Sequence, residues 1–399
     1  MTVLTSRSLP RPFWMLWLGT VINRTGALVQ PFLSVYLVQV QGFTLPQAGA
    51  VMTAFGLGSL LSHLLAGWLA DRLGRRLTLT GGMLATSAAM VVLGAASGLP
   101  AVAATAFLLG LTIEFYRPAS QAMVADLVPP ALRPRAYGLL FWGMNLGYSV
   151  AMVAGGRLAD HGAQAMFGVN AAVAVAFAAV VWRAVPESRP EEGPPVGAGP
   201  RAVLRDRLML AVCAATAAYG AVYAQAFTTL PLAMAEQGVN RTQFGLAMAL
   251  NGVLIVAVQP LTGAWLARRD PSRVLATGTA VVAAGFALTA FVHDAGGLAL
   301  TVAVWTVGEI VVGGALPTIV AALAPEDLQG TYAGVSGMSW AAGAALAPVI
   351  GTALLPLGPV VLWTGLGLLG TASALGVLLI AGPVRLRTST TQPIKRTER

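Results

Sequence analysis

The residues that could do chemistry in this chain are a few charges set inside long apolar runs. Gly110, Glu114, Arg117 and Gln121 follow one another at intervals of four, three and four. At about 100° per residue they share one narrow stripe of a helix. Lipid offers no hydrogen-bond partner, so such a stripe must face a cavity or another helix. Arg24, with Asn23 and Gln30 nearby, adds a second intramembrane cation, and Glu309 a second acid. A carboxyl in an apolar span without a firm partner can load and release a proton. Glu114 is the first candidate for that role and Glu309 the second. Each has a plainer alternative. Glu114 and Arg117 can form a permanent i, i+3 ion pair, and Glu309 can hydrogen-bond to a neighbouring helix.

Aromatic residues accompany these charges. Tyr219, Tyr223 and Phe227 recur every four residues, and Trp305 stands one turn before Glu309. Aromatic faces suit an amphipathic ligand, although helix packing explains each ring equally well. The candidate substrate site is therefore Asn23, Arg24, Gln30, Arg117, Tyr219, Tyr223 and Trp305. His63 reads as a packing residue. The three histidines and the single Cys213 give no metal-ligand spacing and no nucleophile–base set. The sequence thus gives no ground for an enzyme, a metal site or a cofactor.

The elements that hold these residues are membrane spans. Of 399 residues, 56% are hydrophobic and only 10% charged, and mean hydropathy is +0.75. Soluble domains carry about 25% charged residues. Spans are expected at 13–40, 47–70, 77–97, 101–125, 136–159, 164–184, 207–235, 242–267, 272–292, 297–323, 331–356 and 358–382. Turn-forming and charged clusters separate them. The first run is longer than a signal-peptide core, so no cleaved leader is expected. All but four of the 24 basic residues (Arg24, Arg117, Arg157, Arg241) fall on one side if the N-terminus is cytoplasmic. That distribution fixes the expected orientation, with both termini cytoplasmic in a cell inner or plasma membrane. It also argues against nucleic acid as the partner of the +9 charge.

The two halves repeat at an offset of 196 residues. Gln41-Gly42 pairs with Gln237-Gly238, Gly67 with Gly263, Arg72 with Arg268, Gly138 with Gly334 and Gly147 with Gly343. One register across several spans points to two related six-helix bundles, 1–184 and 207–382. A Pro, Gly and Glu-rich linker at 185–206 joins them, and a tail at 383–399 follows. Both are expected to be cytoplasmic.

Between the second and third spans stands Gly67-Trp68-Leu69-Ala70-Asp71-Arg72-Leu73-Gly74-Arg75-Arg76. This G-x-x-x-D-R-x-G-R-R pattern resembles the loop between helices 2 and 3 of the major facilitator superfamily. The resemblance covers nearly the whole chain and is nearest the twelve-helix, proton-linked drug exporters. It implies an all-α membrane fold of two pseudo-symmetric six-helix bundles. It further implies that Asp71 caps the eleventh span near Thr331, and that Arg75 pairs with Asp126 at the end of the fourth. Together with Gly67, Arg72, Gly74 and Arg76 these would latch the halves while a cavity lined by spans 1, 4, 7 and 10 faces outward. A simpler possibility is that the three arginines only anchor topology. The repeat places Ala267 where Asp71 would be, so the latch should be one-sided. The exporter pattern in the fifth span is incomplete: Gly138, Gly147, Gly155 and Gly156 fit, but Ala151 and Met152 replace its Gly-Pro pair. In the fourth span Ala106 replaces its arginine.

The sequence therefore predicts an alternating-access transporter, acting as a monomer on a small molecule with protons and the lipid bilayer as its other partners. Proton-coupled export of amphipathic compounds is the preferred activity. Import or uniport of a metabolite, with Arg24 and Arg117 holding an anion, is the alternative. A membrane receptor would need soluble extensions larger than the linker and tail.

Overall fold

The computed structural model describes residues 9–26, 33, 36–159, 163–188, 199–239 and 241–390. Its helices are α1 (Arg11–Thr25), α2 (Leu45–Leu73), α3 (Arg75–Ala95), α4 (Leu99–Ile113), α5 (Tyr116–Leu127), α6 (Arg133–Ala159) and α7 (Ala163–Ala184) in the first half. The second half holds α8 (Pro200–Arg205), α9 (Arg207–Tyr223), α10 (Gln225–Thr228), α11 (Leu230–Glu236) and α12 (Arg241–Leu266). It continues with α13 (Pro271–Leu288), α14 (Ala295–Val312), α15 (Ala315–Leu323), α16 (Gln329–Leu354) and α17 (Pro359–Thr390). Among the described residues there is no strand. Ten helical stretches there are long and apolar enough to cross a membrane.

Those ten do not include the expected first and fifth spans. In the first, α1 stops at Thr25 and a π-helical turn occupies Tyr36–Val40, with most of the chain between outside the described residues. The helix α6 runs over 27 residues, of which 133–151 are fully described.

Three expected spans are broken, and the breaks have local causes. Pro118 has no N–H to reach the Glu114 carbonyl four residues back, so α4 ends and α5 begins there. Pro317 does the same to Gly313, between α14 and α15. The seventh span divides at Ala224, between α9 and α10. The breaks adjoin Glu114, Tyr223 and Glu309. In a membrane, irregular backbone is tolerated only where protein or a cavity surrounds it.

Each half has its own apolar packing. Phe13, Leu16, Met83, Met123 and Phe177 form one cluster of the first half, and Phe55, Met90, Leu109 and Phe167 another. In the second half, Val212, Ile319 and Val377 gather in one cluster and Phe286, Trp305 and Trp363 in another. Lipid supplies no hydrophobic drive between helices, so small residues that allow close approach carry much of the contact. A β-carbon on Gly110 of α4 would collide with the Phe55 carbonyl of α2, and one on Gly58 of α2 with the Phe107 carbonyl.

The repeat is visible as matched bonds. Arg133 donates to the carbonyls of Ala125 and Val128. At an offset of 196, Gln329 donates to Ala321 and Ala324, both at 3.1 Å. Gly147 abuts the Val21 carbonyl, and Gly343 that of Ala217, at the same offset.

Two boundary expectations are corrected. The last helix runs through Pro383 to Thr390, eight residues into the expected tail. Arg387 holds it, donating to the Asp206 carboxylate at 2.6 Å and the Leu323 carbonyl at 2.8 Å. The linker is not uniformly loose either. Glu187 and Ser188 bond to the first half, and residues 200–205 form α8.

Candidate functional site

The Gly67–Arg76 stretch is not an extended loop. Helix α2 runs through Asp71 to Leu73, Gly74 makes the turn alone, and α3 begins at Arg75. Gly74 has φ +106°, a conformation that L side chains rarely adopt. A β-carbon there would also lie 2.5 Å from a carboxylate oxygen of Glu187. That carboxylate accepts the amides of Arg75 at 2.7 Å and Arg76 at 3.3 Å, capping α3.

Asp71 crosses to the other half. Its carboxylate accepts the Gly330 amide at 2.8 Å and both the amide and hydroxyl of Thr331 at 2.6 Å. These groups open α16, so a buried anion sits on the positive end of a helix. Arg75 is fully buried beside it, with Nε 2.9 Å from Asp126 and Nη2 3.3 Å from Asp71. Both contacts lie off the hydrogen-bonding direction, so they act as charge–charge contacts; Nη1 is bonded to the Ala70 carbonyl. Ser188 donates to Asp126 at 2.8 Å. Gly67 lies against Gly330 and Gly334 with no room for a side chain. Arg72 and Arg76 instead lie over Trp68 and Trp182, at the edge of the bundle.

The pseudo-symmetric seam, α12 against α6, is built differently. Gln259 stands where the repeat places His63, and it donates to the Gly138 carbonyl at 2.8 Å. Pro260 leaves the Val256 carbonyl without its helical donor, and Trp142 of the first half supplies its indole N–H at 3.0 Å. Both seams are thus closed at the end carrying Asp71. Toward the opposite end, a β-carbon on Gly49 or Gly56 of α2, or on Gly245 of α12, would meet nothing within 4 Å.

Between the halves lies the polar cluster. Glu114 pairs with Nε of Arg117 at 3.0 Å, and the Tyr116 hydroxyl is 3.1 Å from the same nitrogen. Arg24 lies over the Tyr116 ring, 5.0 Å from its centroid. Arg117 and Gln121 line both a cavity of about 140 Å³ reaching Ser336 and Trp340 and one of about 70 Å³ reaching Gly313. From the second half, Glu309 accepts the Tyr223 hydroxyl at 2.7 Å and the Asn251 amide at 2.8 Å. Tyr219 stacks on Tyr223 with ring centroids 5.9 Å apart.

Arg24, Glu114 and Arg117 form one polar group around Tyr116, and Tyr219, Tyr223, Asn251 and Glu309 form another. Trp305 lines neither cavity, contrary to expectation. It is 1% exposed, stacked on Phe286 in the core of the second half, and backs Tyr223 edge-on at 5.9 Å. The glycine at 285 leaves the indole its place. Asn23 sits half-buried near the end of α1, and Gln30 lies outside the described residues. His63 is buried, with Nδ1 2.9 Å from the Ser59 carbonyl, and its ring also borders the larger cavity.

Sequence reasoning missed Asn251, Trp142, Gln259 and Glu187. Asn251 and Gln259 are lone polar residues of a spanning helix, which was signal enough to find them. Glu187 gave none, because its target is separated by more than a hundred residues.

Comparison with known proteins agrees with this architecture. The chain is 28% identical over 405 residues to the chloramphenicol resistance protein of Streptomyces lividans, covering 98% of this chain and 100% of that protein. It is 26% identical over 375 residues to multidrug resistance protein MdtH of Aeromonas hydrophila subsp. hydrophila, covering 91% and 93%. Its fold matches the crystal structure of the human organic anion transporter MFSD10 (TETRAN), with a TM-score of 0.71 at 18% identity, over 92% of this chain and 99% of that one. Residues 16–348 match the family model of the Major Facilitator Superfamily. With an internal repeat, a capped α2–α16 seam and a polar cluster between the halves, the chain belongs to the Major Facilitator Superfamily.

Proposed function

We propose that this transporter exports amphipathic small molecules in exchange for protons, and that Glu309 carries the coupling proton. The observation that carries this reading is the different company of the two buried acids. Protonating Glu114 would strand Arg117 as an unpaired cation inside the membrane, which costs several kcal/mol. Glu309 has neutral partners, Tyr223 and Asn251. A hydroxyl both donates and accepts, so Tyr223 can turn and accept from a protonated Glu309. This reverses the order in which sequence alone ranks the two acids. Glu114 and Arg117 then shape the substrate site.

In this reading Asp71, Arg75 and Asp126, with Gly67, Arg72, Gly74 and Arg76 around them, form the latch of an outward-facing state. The termini lie in the cytoplasm, as the basic residues require. The names of two relatives, one of chloramphenicol and one of multidrug resistance, support export of drug-like compounds.

The test is uptake of chloramphenicol and a panel of amphipathic dyes into inside-out proteoliposomes, with and without a pH gradient. Glu309→Gln should abolish gradient-driven accumulation while leaving exchange measurable. Glu114→Gln should weaken substrate affinity and keep the gradient dependence. If both variants accumulate substrate like wild type, coupling through Glu309 is wrong and facilitated uniport takes its place.

A further inference from the structure

We infer that the cavity between α5 and α16 seats an aryl carboxylate: the preferred substrate is an aromatic acid, or carries a benzoate-sized acidic head, held there by Arg117. This deepens the export reading above and rests on it for the direction of transport only.

Both halves build this cavity, whose volume is about 140 Å³. His63 of α2 and Arg117 and Gln121 of α5 line it from the first half. Pro317 of α15, with Ser336 and Trp340 of α16, lines it from the second. An engineered core cavity of about 150 Å³ takes up a benzene ring. The neighbouring cavity that Arg117 and Gln121 also border measures about 70 Å³, half as large, so a ring belongs in the first. Trp340 and Pro317 supply apolar surface for it to pack on.

Arg117 meets its own partners through one nitrogen. Nε lies 3.0 Å from Glu114 and donates to the Tyr116 hydroxyl at 3.1 Å. Among the described residues, Nη1 and Nη2 have no hydrogen-bond partner. The side chain is 35% exposed and borders the cavity. A guanidinium fork takes a carboxylate through two parallel bonds, a match that no single amide or ammonium group reproduces. Gln121 and Ser336 bring two further donors to the same cavity, and among the described residues neither side chain has a partner.

The local charge selects the same ligand. Before residue 160 the sequence holds three acids, Asp71, Glu114 and Asp126. Asp71 and Asp126 stand against Arg75 at the closed end. Glu114 alone is left for two guanidiniums around Tyr116: Arg117, and Arg24, which lies 5.0 Å from the centre of the ring. Among the described residues, no carboxylate of the second half comes within ion-pair distance of either arginine. Two cations and one anion leave one positive charge uncompensated, which is costly inside a membrane. A monoanion brings the group to neutrality. A neutral ligand leaves the excess in place, and a cation enlarges it.

The test uses four probes: 4-fluorobenzoate, 4-fluorobenzamide, 4-fluorobenzylamine and, as a carboxylate without a ring, trifluoroacetate. Binding to the full-length protein in nanodiscs is titrated by fluorine NMR without any gradient, against empty nanodiscs. The benzoate should bind about tenfold or more tighter than each of the others. The double variant Glu114→Gln/Arg117→Gln removes one charge of each sign and strands neither, and should bring the benzoate down to the benzamide. Ser336→Leu fills the larger cavity, leaves Arg117 in place, and should weaken the benzoate by a similar factor. The wild-type ranking needs no variant to fold. If any other probe matches the benzoate, if none of the four binds, or if either variant, once folded, binds the benzoate like wild type, the inference is wrong. Benzoate preference without gradient-driven transport would remove proton exchange and leave this inference standing. Gradient-driven transport of cationic dyes with no benzoate preference would do the reverse.

Discussion

The indole of Trp142 donates to the carbonyl of Val256, the one group that Pro260 leaves without a donor in α12. The bond joins the two halves at the seam opposite Asp71. It means that a helix defect in one repeat is repaired by a side chain of the other. Closing that end of the molecule therefore depends on two unlike devices, a charge on a helix end and a hydrogen bond to a freed carbonyl.

Trp142→Phe should loosen the second seam without disturbing the first. It keeps the ring stacked on Trp17, whose centroid lies 5.6 Å away, and removes only the donor. One hydrogen bond contributes about 1 kcal/mol, or roughly fivefold in the ratio of closed to open states. Spin labels on the exposed Leu77 and Leu261, in a background where Cys213 is alanine, read that ratio as a distance distribution. A distribution identical to that of the unsubstituted background would show that the bond does not bias the equilibrium.

Asp71→Asn should fold and insert nearly as well as wild type, yet slow transport about tenfold or more, equivalent to about 1.4 kcal/mol. The amide keeps one acceptor oxygen for the α16 amides but loses the charge that Arg75 and the helix end both use. Initial rates in proteoliposomes, at matched protein level, decide it. Wild-type rates would reject the role of a latch.

Asp206 offers a pH-dependent stability test outside the membrane. It caps α9 through the Met209 amide at 3.2 Å and accepts the Tyr332 hydroxyl at 2.9 Å as well as Arg387. Burial alone would raise its titration point. Hydrogen bonds from Arg387, Tyr332 and Met209 outweigh burial and hold the carboxyl below the usual carboxylate range. A folded-state value below the unfolded one gives stability that is present above the unfolded value and lost as pH falls through the folded one. Asp206→Asn should therefore lower Tm at neutral pH, by about 1–3 kcal/mol of stability. The gap to wild type should close as pH drops below the ordinary aspartate range, near 4. A gap that stays constant from neutral to acid pH would show that the charge of Asp206 does not matter.

Much of this protein was legible in the sequence because a membrane imposes strong local rules. Long apolar runs must be helices, since every backbone group needs an internal partner. A repeat at 196 residues survives as matched letters, and Arg133 and Gln329 show it persisting even where the letters differ. Isolated charges such as Glu114, Arg117 and Glu309 stand out for the same reason: each is too costly to be incidental.

What the sequence could not decide was who meets whom. Glu114 has Arg24 and Arg117 as candidate partners in the sequence, and only packing put Arg117 at 3.0 Å while leaving Arg24 on a tyrosine ring. Trp305 has the spacing of a cavity residue, but the crossing of α13 and α14 at Gly285 turned its face into the core. Trp142 and Val256, or Glu187 and Arg75, carry no shared pattern, because their bonds join segments more than a hundred residues apart. Periodicity constrains a residue's neighbours within one helix. The partner across a crossing is set by which small residues let two backbones approach, and that is a property of the folded pair.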